Sequence, residues 1–229
     1  MKKELAVLFD MDGVICDTNP YHLQAWEKFA EKHQLNLEGK DLGYYIYGRT
    51  NRDALQLFMK DQAFANGNSF SNDQLTDLSE EKEALFRDIY RDHVALTDGL
   101  QNFLQELKDA EVPLALASNA PISNINFILD ATNTRAYFEA IVDATQVTKG
   151  KPDPQIYLRS AELLHVEPGN CIVMEDSTVG VEAGQKAGMK VVGITTTHSA
   201  EELSHTDLVI DSFAELSLNE LKNLLLSGH

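Results

Sequence analysis

Two cysteines in 229 residues, Cys16 and Cys171, are too few for a disulfide framework, and a reducing cytoplasm is their simplest setting. Long apolar runs are missing too. Stretches such as Leu5–Phe9 fall far short of a membrane span, and the opening Met1-Lys2-Lys3 leads into no secretory leader pattern. Basic residues are scarce, with Lys+Arg 19 against Asp+Glu 36 and a formal charge of −17. Such a surface repels phosphate backbones and anionic lipid, so neither nucleic acid nor membrane is an expected partner. A phosphorylated substrate needs a strongly positive local site on such a chain. Gly/Ser linkers, repeats and low-complexity tracts are absent as well. What is present, 43% hydrophobic and 24% charged residues, is the balance of a globular protein with a sizeable core, as one large domain or one with an insertion.

The texture changes along the chain. Residues 19–93 read as almost pure helix. Thr18-Asn19-Pro20 offers an N-cap and a first-turn proline, after which Trp26, Phe29, Ala30 and His33 follow helical spacing. A loop around Gly43–Gly48 precedes a helix carrying Ala54, Leu55, Phe58 and Met59, and Asn66-Gly67-Asn68-Ser69 reads as a turn. A third helix sets Leu75, Leu78, Lys82, Leu85, Phe86, Ile89 and His93 on one stripe. Around this module lie six strand candidates, Leu5–Phe9, Pro113–Ala117, Ala140–Val142, Cys171–Met174, Val191–Ile194 and Leu208–Ile210. Short apolar runs alternating with helical segments predict an α/β fold, a doubly wound parallel sheet with helices on both faces. The module between the first two strands reads as an inserted helical cap domain over 18–93, with the core formed by 1–17 and 94–229.

The strand ends carry the chemistry. Leu5–Phe9 runs into Asp10-Met11-Asp12-Gly13, Pro113–Ala117 into Ser118-Asn119, Ala140–Val142 into Asp143, and Cys171–Met174 into Glu175-Asp176-Ser177. Ligands of open α/β sheets bind beyond the carboxyl ends of the strands, at the switch in strand order. For Asp143 or Ser177 alone, helix capping is the favoured reading. The full set is different, because Asp10, Asp12, Glu175 and Asp176 repel one another unless a cation joins them. With oxygen ligands only and no Cys or His cluster, a hard cation such as Mg²⁺ fits better than Zn²⁺. Asp10 and Asp12 both face the crevice if the backbone stays extended, and Gly13 then allows a sharp turn or a close approach. The positive group comes from Lys149-Gly150-Lys151-Pro152-Asp153-Pro154. Lys149 competes for the role, and the stiff Lys-Pro step favours Lys151.

Phe9-Asp10-Met11-Asp12-Gly13-Val14, Ala117-Ser118-Asn119, Lys151-Pro152-Asp153-Pro154 and Glu175-Asp176-Ser177 resemble, in order, the four motifs of the haloacid dehalogenase superfamily. The match spans essentially the whole chain. Asp17-Thr18, Tyr21-His22 and Trp26 bring it closer to the β-phosphoglucomutase-like branch of phosphatases and phosphomutases. The resemblance implies Asp10 as a nucleophile forming an aspartyl-phosphate and Asp12 as the general acid and base. It implies Mg²⁺ held by Asp10, the Asp12 backbone carbonyl and Asp176, with Glu175 ligating or orienting a bound water. Ser118, Asn119 and Lys151 would hold the phosphoryl group. The dehalogenase and ion-pump branches lack an acid/base carboxylate at the Asp12 position, so neither fits.

The resemblance also places substrate selection in the cap, through Thr18, His22, Arg49, Arg52 and Lys82. His22 is a helix-capping group or a gate, Lys82 a snorkelling lysine or a substrate contact, and Trp26 a core residue. Mutases of this branch carry an arginine three residues after the glycine of the cap loop; here Asn51 stands there, between Arg49 and Arg52. That departure favours a phosphatase of a small phosphorylated metabolite over a sugar-phosphate mutase, with a catalytically silent binding protein as a distant third. A monomer is expected.

Overall fold

The computed structural model describes residues 4–227 except 38, 47–49, 66 and 68. The helices are α1 Asn19–Lys32, α2 Leu42–Ile46, α3 Asn51–Lys60, α4 Asn72–Tyr90, α5 Leu100–Asp109, α6 Ile122–Ala131, α7 Gln155–Leu164, α8 Thr178–Lys186 and α9 Leu218–Leu226. None is long and apolar enough to cross a membrane. Two compact units form, Asn19–His93 on one hand and Met1–Thr18 with Val94–His229 on the other.

In the larger unit the six apolar runs become β1 Ala6–Phe9, β2 Leu114–Ala117, β3 Ala140–Val142, β4 Cys171–Glu175, β5 Lys190–Ile194 and β6 Leu208–Ile210. All pairs are parallel, in the order β3-β2-β1-β4-β5-β6. The chain starts at the centre, winds to one edge, then returns to the other side of β1, so Val7 sits in register with both Leu114 and Ile172. Every residue of β1 is buried, as a strand covered on two faces requires. Leu8 points into a cluster with Val173, Val191, Val181 and Tyr157, under α7 and α8. Phe9 points the other way, its ring centroid 6.4 Å from Phe103 of α5, 6.0 Å from Phe138 and 6.2 Å from Phe213. At about 2 kcal/mol per buried apolar side chain, these two faces hold the central strand in place. The switch in winding direction falls at β1, beside β4, and the sheet opens there at the carboxyl ends.

The helical unit packs α1 against α4 around Trp26, Phe29, Tyr45, Leu55, Phe58 and Leu75. Trp26 is core, as expected. Ser71 and Gln74 form a capping box at the start of α4. The expected loop at Gly43 is instead the short helix α2. Tyr45 is fully buried, its ring stacked on Phe58 at 4.4 Å, and that packing overrides the low helix propensity of Gly43. α4 stops at Tyr90, so His93 lies beyond it, with its ring 5.5 Å from Tyr21. The turn expected at Asn66–Ser69 includes residues outside the described ones.

Candidate active site

Asp10 extends β1 by one residue, its N–H donating to the Met174 carbonyl at 3.0 Å. The chain then bends at Met11 instead of staying extended, and Gly13 (φ 77°) donates to the Cys16 carbonyl at 2.7 Å. The turn explains the glycine twice. Its φ disfavours a side chain, and a Cβ there would lie 1.8 Å from Asp176 Oδ2. Because of the bend, Asp12 turns toward Thr18, whose hydroxyl donates to Asp12 Oδ1 at 2.7 Å. The carboxylates that converge are Asp10, Glu175 and Asp176, each buried and each offering an oxygen within 4.8 Å of the others.

Glu175 ends β4 and its carboxylate is saturated with donors. Oε1 accepts from Lys151 Nζ and from the Tyr157 hydroxyl, both at 2.7 Å. Oε2 accepts from the backbone N–H of Asp176 and of Ser177 at 3.1 Å and from the Ser177 hydroxyl at 2.9 Å. Ser177 also caps α8 through the Gly180 N–H at 3.1 Å. Gly180 is required here, since a Cβ would fall 1.7 Å from Glu175 Oε1. Orienting a neighbour is therefore the role that fits Glu175 best.

Lys151 Nζ donates to Asp10 Oδ1 as well as to Glu175, and it lies 5.0 Å from the centre of the Tyr157 ring. Only 5% of its side chain is exposed. Burial by itself would lower the Lys151 pKa, but Asp10 and then Glu175 outweigh it and hold the ammonium charged. Burial works against Glu175 too, yet Lys151 and the Tyr157 hydrogen bond keep it ionised. One ammonium cannot neutralise three carboxylates. Burial, with the charges of Glu175 and Asp12, pushes Asp10 up to about 7 even with Lys151 beside it. Burial, Glu175 and Asp10 raise Asp176 well above the usual carboxylate range. An added cation relieves this excess charge, and three buried carboxylate oxygens suit a hard divalent one.

Ser118, 1% exposed at the end of β2, accepts from the Ala120 N–H at 3.0 Å, and among the described residues nothing accepts its O–H. Asn119 is exposed and its Oδ1 takes the Lys151 N–H at 3.4 Å. Asp143 caps the next turn through the Thr145 N–H at 2.7 Å, and Lys149 is exposed.

The helical unit contains a separate polar cluster. Lys82, 2% exposed, donates to His22 Nδ1 at 2.7 Å and to Glu83 Oε1 at 3.0 Å. The same Glu83 oxygen takes the Asn51 amide at 2.5 Å, and the His22 ring stacks on Phe86 at 3.8 Å. The Lys82 ammonium is thus buried and does not snorkel. Arg52 is exposed and holds Asn72 Oδ1 at 2.9 Å. Arg49 lies outside the described residues. Thr18, expected among the substrate contacts, is completely buried in the larger unit and serves Asp12.

Sequence reading missed two hydroxyls. Tyr157 of α7 bonds Glu175, yet in sequence it is one more apolar helix residue. Thr197 bonds Asp176 Oδ2 from the segment after β5. The rule that exposed Asp10 and Glu175, polar residues just past a strand end, applies equally to Thr195-Thr196-Thr197-His198.

Residues 5–188 match the family model for haloacid dehalogenase-like hydrolases. The chain is 33% identical over 222 residues to a phosphorylated carbohydrates phosphatase of Thermotoga maritima, covering 96% of this chain and 99% of that protein. It is 31% identical over 225 residues to a β-phosphoglucomutase of Bacillus subtilis, covering 94% and 93%. A crystal structure of β-phosphoglucomutase from Clostridium difficile superposes with a TM-score of 0.82 at 29% identity, covering 99% and 98%.

Proposed function

The chain belongs to the haloacid dehalogenase-like hydrolases, and from that premise we propose that it is a Mg²⁺-dependent phosphatase of a small phosphorylated metabolite, such as a sugar phosphate. The observation that carries the proposal is Asp10, a buried carboxylate at the end of the central strand, bonded to Lys151 and grouped with Glu175 and Asp176. Asp10 is the nucleophile. Its carboxylate oxygen attacks phosphorus in line, the bond from phosphorus to the ester oxygen breaks, and an aspartyl-phosphate forms. Asp12 gives a proton to the departing oxygen, then takes one from the water that hydrolyses the aspartyl-phosphate. The Thr18 hydroxyl holds Asp12 in one orientation for both transfers. Lys151, Ser118 and Asn119 bind the phosphoryl oxygens. Mg²⁺, held by Asp10, Asp176 and the Asp12 carbonyl, would neutralise charge between the carboxylate and the phosphate dianion. Selection of the metabolite is assigned to the helical unit, through His22, Lys82, Arg52 and Arg49.

A sugar-phosphate mutase is the second reading, supported by the 2.7 Å contact between Lys82 and His22. Asn51 weighs against it, because an amide bonded to Glu83 replaces the arginine that mutases of this branch use for a second phosphate.

One experiment separates the two readings. Phosphate release and sugar-phosphate isomerisation are measured together over a panel of phosphorylated sugars and other metabolites, with Mg²⁺, with and without a bisphosphate primer. Asp10→Asn is the blank. Release without primer is the expected result. Isomerisation only with primer makes the protein a mutase, and neither activity above the blank overturns both.

A further inference from the structure

The two acidic residues at the end of β4 are held very differently. Five donors fix the Glu175 carboxylate, whereas among the described residues the Asp176 carboxylate accepts one hydrogen bond, from the Thr197 hydroxyl to Oδ2. Asp176 is 3% exposed and shares its space with Asp10 and Glu175, both of which repel its charge. A carboxylate under that repulsion rotates away unless something holds it. Gly13 packs against this same Thr197–Asp176 bond, since a Cβ there would meet Asp176 Oδ2 at 1.8 Å and Thr197 Oγ1 at 2.9 Å.

Thr197 belongs to a segment that grips both acidic strand ends. Thr196 donates its hydroxyl to the Gly13 carbonyl, in the turn that follows Asp10 and Asp12. The His198 Nδ1–H donates to the Asp176 carbonyl at 2.9 Å. Thr195, by contrast, bonds Asp211 at 2.5 Å. Three consecutive residues after β5 therefore tie the β1 turn to the end of β4, and only Thr197 reaches a carboxylate of the cluster.

We infer that Thr197 is a positioning residue for the cation site, holding Asp176 in the orientation in which it shares a divalent ion with Asp10. The inference rests on the metal reading given above. Partners of this kind, one bond removed from a metal, change affinity by about 10- to 100-fold when lost.

The test uses Mg²⁺ alone, without substrate. The thermal midpoint of the metal-stripped protein is followed as Mg²⁺ is added and fitted for the dissociation constant Kd, because an ion that binds the folded state stabilises it by RT ln(1 + [Mg²⁺]/Kd). Half-saturating Mg²⁺ is read separately from phosphate release. Thr197→Val keeps the branched shape and removes the donor, Thr197→Ser keeps the donor, and Thr195→Val removes a hydroxyl from the same segment. The expected result for Thr197→Val is a roughly tenfold rise in both Kd and half-saturating Mg²⁺. Thr197→Ser should return near wild type and Thr195→Val should match it. A Thr197→Val protein that binds Mg²⁺ like wild type overturns the inference, however unstable it is without metal. So does an equal rise in Thr195→Val, or a failure of Thr197→Val and Thr197→Ser alike to fold, since the segment then acts only as structure. If wild type itself shows no shift with Mg²⁺, the metal reading falls and this inference with it.

Discussion

The Lys151 ammonium lies 2.7 Å from Glu175 Oε1, joining the loop before α7 to the end of β4 through two buried side chains. The same ammonium serves Asp10, so one positive charge stands at the centre of an acidic cluster that it only partly offsets, on a protein of net charge −17.

Replacing Lys151 should therefore cost stability as well as activity. Lys151→Met keeps the length and leaves two buried carboxylates without their cation, a change worth about 3–5 kcal/mol at neutral pH. Urea unfolding checks this. Because the orphaned carboxylates can take up protons, the loss should shrink toward pH 5. Phosphate release should drop by about 100-fold or more. A variant as stable as wild type at pH 8 would mean that the pair contributes little.

The metal-free protein should lose stability as pH rises. Asp10 is raised from its ordinary value of 3.8 to about 7, and Asp176 is raised as well, burial being the leading cause for both. Between about pH 4 and 7 the folded state thus binds more protons than the unfolded chain. Stability from this source is complete below the ordinary carboxylate pKa and disappears as pH climbs through the raised values. Glu175, shifted down, has the opposite sign, and its share is lost only as pH falls below its ordinary 4.5. Urea midpoints in chelator at pH 5 to 8 should decline, and decline less in Asp10→Asn. Identical slopes for the two proteins would contradict the assignment. Mg²⁺ should bind more tightly at higher pH, because binding must displace these protons.

Gly180→Ala should reverse a familiar rule. Inside a helix the change normally stabilises by up to about 1 kcal/mol. Here the new methyl would sit 1.7 Å from Glu175 Oε1, so α8 or the carboxylate must move. A loss of about 1–3 kcal/mol is expected in denaturant unfolding, and a gain would show that the helix yields easily.

Thr18→Val should slow chemistry without touching metal affinity. The hydroxyl bonds a carboxylate, an interaction worth about 1.5–3 kcal/mol. If that bond strengthens in the transition state, kcat falls by about tenfold or more while half-saturating Mg²⁺ stays put. An unchanged kcat would limit Thr18 to a structural role.

Much of this molecule was legible in its sequence, for an identifiable reason. Strands buried on two faces are short, continuous apolar runs, and all six stood out between helical segments. The residues just past them, Asp10, Ser118 and Glu175, followed from the place where such sheets bind ligands. What stayed hidden depends on tertiary packing. α2 forms because Tyr45 finds Phe58, which no local propensity announces. Tyr157 looks like any core aromatic until its hydroxyl is seen against Glu175. That the Thr18 hydroxyl holds Asp12, and that Gly13 leaves room for Asp176, also appears only in the folded chain. Lys82 matched a position in the family pattern, but its burial against His22 and Glu83 appears only in three dimensions.

The central place of β1 matters during synthesis. Of the six strands β1 leaves the ribosome first, yet its partners are β2 and, much later, β4. Lys151, which bonds Asp10, comes 141 residues after it. At about 5–20 residues per second, the nascent chain carries β1 with an open edge for on the order of ten seconds. A chain stopped before Cys171 should aggregate and hydrolyse nothing. Catalytic competence in this fold thus waits for β4, because a chain that ends before it has neither Glu175 nor Asp176 to place beside Asp10.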